Sequence, residues 1–161
     1  MSVIVRAATL KDMDMVHAIY SHYILHTPTD MHHVAPSLTS FIAEYENISS
    51  RDLPYLVASQ HAGRILGFIH AFPFRGYKVG YSHTAELAII CHTGAIKQGV
   101  GSALMEKFLR SLEEGGAIDQ MLAFMTVLED PEEDNRVKSF YEKWGFREVG
   151  KMVDVGQKFG R

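Results

Sequence analysis

Glu86 stands inside an otherwise apolar run, Ala85-Glu86-Leu87-Ala88-Ile89-Ile90, where a charge is costly unless it has a task. Desolvation in such a strand raises a carboxylate's pKa, which suits a general base; a structural carboxylate paired with His83 or Arg75 would occupy the same place. The residues alone leave both readings open. Downstream, Gln98-Gly99-Val100-Gly101 opens an amphipathic segment with Val100, Ala103, Leu104, Phe108 and Leu112 at helical spacing. A helix start carries unpaired N–H groups and a positive dipole end, and its glycines let other atoms approach the backbone. That combination suits a phosphate or pyrophosphate. A guanidinium such as Arg75 could hold a carboxylate in a bidentate pair, or could simply be solvated on a loop.

These groups must be positioned by alternating strands and helices. Val3-Ile4-Val5 predicts a first strand, and Thr9-Leu10-Lys11-Asp12 a capping box before a helix marked by Met13, Val16, Ile19, Tyr20, Tyr23 and Ile24. His26 to Pro36 reads as a loop, and Ser37 as the cap of a helix with Leu38, Phe41, Ile42, Tyr45 and Ile48 on one face. Tyr55–Ala58 and Ile65–Phe72 form a hairpin around His61-Ala62-Gly63, and Pro73–Gly80 is a loop. Gln120–Leu128 reads as a strand. A helix with Val137, Phe140, Tyr141 and Trp144 on one side ends at Gly145, and Phe146–Val155 reads as a last strand. The expected fold is a mixed α/β sheet flanked by helices.

Bulk properties frame this as one soluble domain over residues 1–161: the formal net charge is −3 and the hydrophobic content 47%. The sequence pI is near 6.3. No apolar run approaches a membrane span, the N-terminus lacks a secretory pattern, and the single cysteine, Cys91, fits a reducing cytoplasm. Neither a basic stripe nor a basic tail points to nucleic acid. His26, His32 and His33 lack spaced Cys, Asp or Glu partners, so no metal is expected, and Cys91 is expected to be a packed thiol.

Several separated phrases resemble the GNAT superfamily of acetyl-CoA-dependent N-acetyltransferases, within it the phosphinothricin and methionine sulfoximine/sulfone N-acetyltransferase group. They are AIYSHYILHT, PFR at Pro73–Arg75, HTAE at His83–Glu86, QGVGSAL at Gln98–Leu104, FYEKWGFREVG at Phe140–Gly150 and VGQKFGR at Val155–Arg161. The resemblance implies a mostly antiparallel GNAT sheet, acetyl-CoA as cosubstrate, a small amino-acid-like amine as acceptor, and a cytoplasmic homodimer. It implies Glu86 as general base and Tyr141 as general acid toward the leaving thiolate, although Tyr141 could equally be a packed phenol beside Phe140 and Trp144. Ala88, Ile89 and Ile90 would hold pantetheine. Ile96, Lys97, Gln98, Gly99, Val100, Gly101 and Ser102 would wrap the pyrophosphate, with Asp134 and Asn135 at a further coenzyme contact. Asp30, Met31, Arg75, Gly76, Tyr77, Ala85, Glu86 and Leu87 would face the acceptor.

The sequence departs from the group at informative places. The pyrophosphate motif reads Arg/Gln-x-x-Gly-x-Gly/Ala; here its first position is Ile96, the usual second glycine is Lys97, and the usual second basic residue is Gln98. Weaker coenzyme affinity is expected. Asp30 and Met31 replace a Thr-Phe pair, which favours a cationic or second amino group on the acceptor. Asp134 takes the place of an asparagine, with Asn135 beside it. Members of the group continue past KFGR with a strand that inserts into the sheet, whereas this sequence ends at Arg161, so an uncovered strand edge is expected. A GNAT-fold module that binds coenzyme A or a partner without turnover is the competing reading, and a protein N-terminal acetyltransferase a third.

Overall fold

The computed structural model describes residues 3–61, 63–76 and 78–160. Strand β1 (Ile4–Ala7) leads through a short 3-10 turn at Leu10–Asp12 into helix α1 (Met13–His26), followed by α2 (Leu38–Ser49). The hairpin β2 (Tyr55–Ser59) and β3 (Ile65–Pro73) comes next, then β4 (Thr84–Cys91), α3 (Val100–Gly115), β5 (Gln120–Ala123) and α4 (Pro131–Lys143). The strands lie in the order β1-β2-β3-β4-β5. Pairing is antiparallel through β4; β4 and β5 are parallel because α3 carries the chain across between them. This is the mixed, mostly antiparallel sheet with flanking helices that the sequence predicts.

Alternation along the strands divides two cores. Leu56, Ile69, Ala71, Ala85 and Leu87 turn toward α3, meeting Val100, Leu104, Met105 and Phe108. Tyr55, Val57, Ile65 and Phe68 turn toward α1 and α2, meeting Met13, Val16, Ile19, Phe41 and Ile48. The β1–α1 corner is pinned by Asp12, which accepts the Thr9 N–H at 2.8 Å and both Arg6 guanidinium nitrogens at 2.7 Å. Ser37 caps α2 by accepting the Ser40 N–H, and Asp130 caps α4 by accepting the Glu132 N–H.

Two strand expectations need correction. Within Gln120–Leu128 only Gln120–Ala123 forms strand. Beyond it the chain is held by side chains: the Thr126 hydroxyl donates to the Pro28 carbonyl, and Asp134 takes the Leu128 N–H. Phe146–Val155 forms no strand. An extended segment becomes a strand only against a partner, and among the described residues none lies against it. Val149, Met152, Val153 and Val155 are exposed there. The chain then folds back, because the buried Lys158 ammonium donates to the carbonyls of Ile24 and Asp30 at 2.5 and 2.6 Å.

Candidate active site

The β4 register decides where Glu86 points. Glu86 pairs with Phe72 across the antiparallel ladder, as Ala88 does with His70 and Ile90 with Phe68. Its side chain therefore shares the α1/α2 face with those aromatic residues, and the apolar α3 face is kept by Ala85 and Leu87. Glu86 is half-buried, and desolvation lifts its carboxyl above the ordinary value. The Arg75 backbone N–H donates to it and opposes part of that rise. Arg75 reaches Glu86 through backbone, at a left-handed φ of 51°, and its side chain is exposed.

The second feature is where strand pairing stops. The β4–β5 ladder ends at Leu87 and Ala123, while β4 continues against β3 to Cys91. From Ala88 onward, the β4 edge that β5 covered faces a cleft of about 690 Å³. The same cleft is lined by Ile96, Lys97, Gly99, Val100, Gly101 and Ser102 at the start of α3, and by Arg136 and Tyr141 of α4. A β-carbon added to Gly101 would meet the Phe140 ring at 3.5 Å, which is ordinary contact, so the protein itself does not demand glycine there. Gly99 has a φ of 81° and Lys97 one of 62°. At Lys97 a side chain adopts the conformation that glycine takes freely, at a cost of about 1 kcal/mol. Burial pushes the Tyr141 hydroxyl up to about 12, and the Cys91 thiol to about 11.

A family model described as an acetyltransferase (GNAT) domain matches residues 51–148. The chain belongs to the GNAT acetyltransferase family. Among curated GNAT relatives, an L-methionine sulfoximine/L-methionine sulfone acetyltransferase of Pseudomonas aeruginosa is 26% identical, over 100% of this chain and 90% of its own. A GNAT superfamily phosphinothricin acetyltransferase from Sinorhizobium meliloti, solved in complex with AcCoA, superimposes with a TM-score of 0.89 at 25% identity, covering 100% of this chain and 83% of that one. A ribosomal-protein-alanine N-acetyltransferase from Brucella melitensis gives a TM-score of 0.88 at 26% identity, over 98% and 93%.

The site residues expected of a GNAT acetyltransferase divide into two groups. Asp30, Glu86 to Ile90, Ile96, Lys97, Gly99 to Ser102 and Tyr141 line the one cleft. Arg75, Gly76, Met31, Gln98, Asp134 and Asn135 do not, and Ala85 is buried against α3. Tyr77 lies outside the described residues, as do Ala62 of the hairpin turn and Arg161 of the last phrase. Three of the absentees are held elsewhere by local contacts. Gln98 Nε2 donates to the Gly94 carbonyl at 2.8 Å and braces the turn; Asp134 holds Leu128; Met31 packs on Gly156. Sequence reasoning missed the far wall: Tyr20, Glu44, Tyr45, Tyr55, His70 and Phe72. The aromatic residues repeat at helix and strand spacing and read as core, and Glu44 is one charge among many on a helix. Its place between Phe41 and Tyr45, on the border of the apolar stripe, was the available signal.

Proposed function

We propose that this chain is an N-acetyltransferase that moves the acetyl group of acetyl-CoA to the primary amine of a small acceptor by direct attack in a ternary complex. The observation that carries the reading is the position of Glu86: a desolvated carboxylate on β4, just before the β4–β5 ladder ends, in one cleft with the α3 start and Tyr141. The residues present fit the cosubstrate. The β4 edge from Ala88 to Ile90 offers backbone groups to pantetheine, the start of α3 from Gly99 to Ser102 lines the cleft with helix N–H groups suited to a pyrophosphate, and Lys97 supplies positive charge. Arg136 carries Glu133 with it at 3.1 Å and adds less.

Acetyl-CoA, when bound, supplies an acetyl group activated as a thioester. A primary amine is protonated near neutral pH, and Glu86 takes that proton, directly or through water. The freed nitrogen pair attacks the carbonyl carbon; the N–C bond forms, the C–S bond breaks, sulfur leaves with the electron pair, and the second proton lost by the nitrogen passes through water to the thiolate. The end of the β4–β5 ladder supports a backbone N–H of the open β4 edge as the group that stabilises charge on the carbonyl oxygen. Burial holds the Tyr141 hydroxyl protonated, above the ordinary phenol value and well above the usual thiol range, so a thiolate draws a hydrogen bond from it more readily than a proton. Its contribution is a hydrogen bond to the leaving sulfur.

The relatives' names, a methionine sulfoximine/methionine sulfone acetyltransferase and a phosphinothricin acetyltransferase, support a small primary amine as the acceptor. We read residues 1–161 as one domain, cytoplasmic and homodimeric, with light scattering as the check on the dimer. Among the described residues no helix is long and apolar enough to cross a membrane, and no three His, Cys, Asp or Glu gather as a metal site. A module without turnover is the disfavoured alternative. The test is thiol release from acetyl-CoA over a panel of amino acids, amines and N-terminal peptides. Turnover on at least one small amine supports the proposal; coenzyme binding without turnover on any acceptor overturns it.

A further inference from the structure

The acceptor half of the cleft has the wrong charge for an amino acid. Its lining carboxylates are Glu86, Asp30 and Glu44. Among the described residues, Lys97 and Arg136 are the lysine and arginine that line any part of the cleft, and both belong to the coenzyme half, on the α3 turn and on α4. The arginine expected to receive a carboxylate, Arg75, is exposed and off the lining.

The walls fit a cation. Tyr55 stacks on His70 with ring centroids 4.6 Å apart, Tyr45 meets Tyr55 edge-on at 5.2 Å, and Tyr20 packs on Phe41 at 5.5 Å. Burial lowers the His70 pKa to about 4, so near neutral pH it brings a ring and no positive charge. Asp30 is partly satisfied within the protein, accepting the Tyr20 hydroxyl at 2.8 Å, the His32 N–H at 2.8 Å and the His32 ring at 2.6 Å. Glu44 is different. It is exposed at the cleft margin, with no side-chain hydrogen-bond or ion-pair partner among the described residues; burial chiefly raises the pKa of the Tyr20 and Tyr55 hydroxyls, and the Glu44 charge adds to both. Aromatic faces beside carboxylates attract ammonium groups through cation–π and Coulomb terms, and they repel a carboxylate.

We infer that the acceptor is a diamine-type molecule: one amine presented to Glu86, a second cationic nitrogen held at Glu44 among Tyr20, Tyr45 and Tyr55, and no carboxylate. This rests on the acetyl-transfer reading and names the substrate class of that site. The reaction is the same transfer, with the acetylated nitrogen losing its proton to Glu86 and the distal nitrogen keeping its charge.

The test compares a matched set with acetyl-CoA: 1,5-diaminopentane, pentylamine, norleucine and methionine sulfone, on the native protein and on Glu44→Gln. The diamine is expected to exceed pentylamine and both amino acids at least tenfold in kcat/KM. Glu44→Gln is expected to raise the diamine KM about fivefold, the scale of one exposed ion pair, and to raise the pentylamine KM by less than half as much. A preference for either amino acid, or a diamine KM indifferent to Glu44→Gln, overturns the inference and leaves acetyl transfer standing. No turnover on the matched set or on the wider acceptor panel overturns both. Glu44 lies on the exposed side of α2, so loss of fold does not confuse the result.

Discussion

Burial lifts the pKa of both Glu86 and Tyr141, with opposite consequences for their chemistry. A raised carboxylate is a better base for an ammonium proton; a raised phenol is a poorer acid for a thiolate. Tyr141→Phe is therefore expected to lower kcat less than about tenfold, measured by thiol release, because one hydrogen bond is lost and no proton relay. Lys97 shows a different compromise, holding a cation at a φ of 62°. Lys97→Gly is expected to raise Tm by about 2–4 °C, from relief of about 1 kcal/mol, and to raise the KM for acetyl-CoA. Asp12 is worth more to the fold than to the chemistry. The Arg6 guanidinium holds its carboxyl at about 2, below the ordinary 3.8. Its stabilisation, about 2 kcal/mol, is complete above the unfolded-state value near 3.8 and is lost as pH falls through about 2. Urea unfolding between pH 6 and pH 2 is expected to show that much less acid loss in Asp12→Asn.

At the scale of elements, the α3 start and the loop after α1 both contribute to the lining of the cleft. A β-carbon at position 101 meets the Phe140 ring and the Cys91 sulfur at ordinary contact distances, so Gly101→Ala, which adds that carbon alone, is expected to keep the native circular dichroism and weaken coenzyme binding in a titration. The loop bearing Asp30 is tied down by Lys158, whose buried charge is offset by two carbonyls, one of them in the last turn of α1. Lys158→Met leaves both acceptors short of a donor; a loss of about 1–3 kcal/mol in urea unfolding and a raised acceptor KM are expected. The helices were legible from spacing and caps, as with Ser37 before Leu38 and the apolar stripe from Val100 to Phe108. Glu86 was legible as an odd charge in a strand. The extents of the strands after α3 were not, because pairing is a property of neighbours: Phe124–Leu128 and Phe146–Val155 have strand composition without a ladder to join. The cleft wall was hidden for a related reason, since Tyr45, Tyr55 and Phe68 serve the core and the cleft at once.

For the molecule as a whole, the sheet keeps two functions on one continuous opening. The α3 face is filled with apolar side chains, while the α1/α2 face is filled at one end and open at the other, where Glu86 emerges. The ladder that stops at Leu87 joins that opening to the helix start, so Glu86 and the start of α3 share one cleft. The central claim is that Glu86 removes the acceptor's proton. It is tested by the pH dependence of kcat/KM with acetyl-CoA and a turned-over amine, for the native protein and for Glu86→Gln. The native profile is expected to fall on the acid side through a pKa above 4.5, and the variant to lose about 10²–10³-fold in rate together with that dependence. A variant with undiminished rate and an unchanged acid limb would contradict the account.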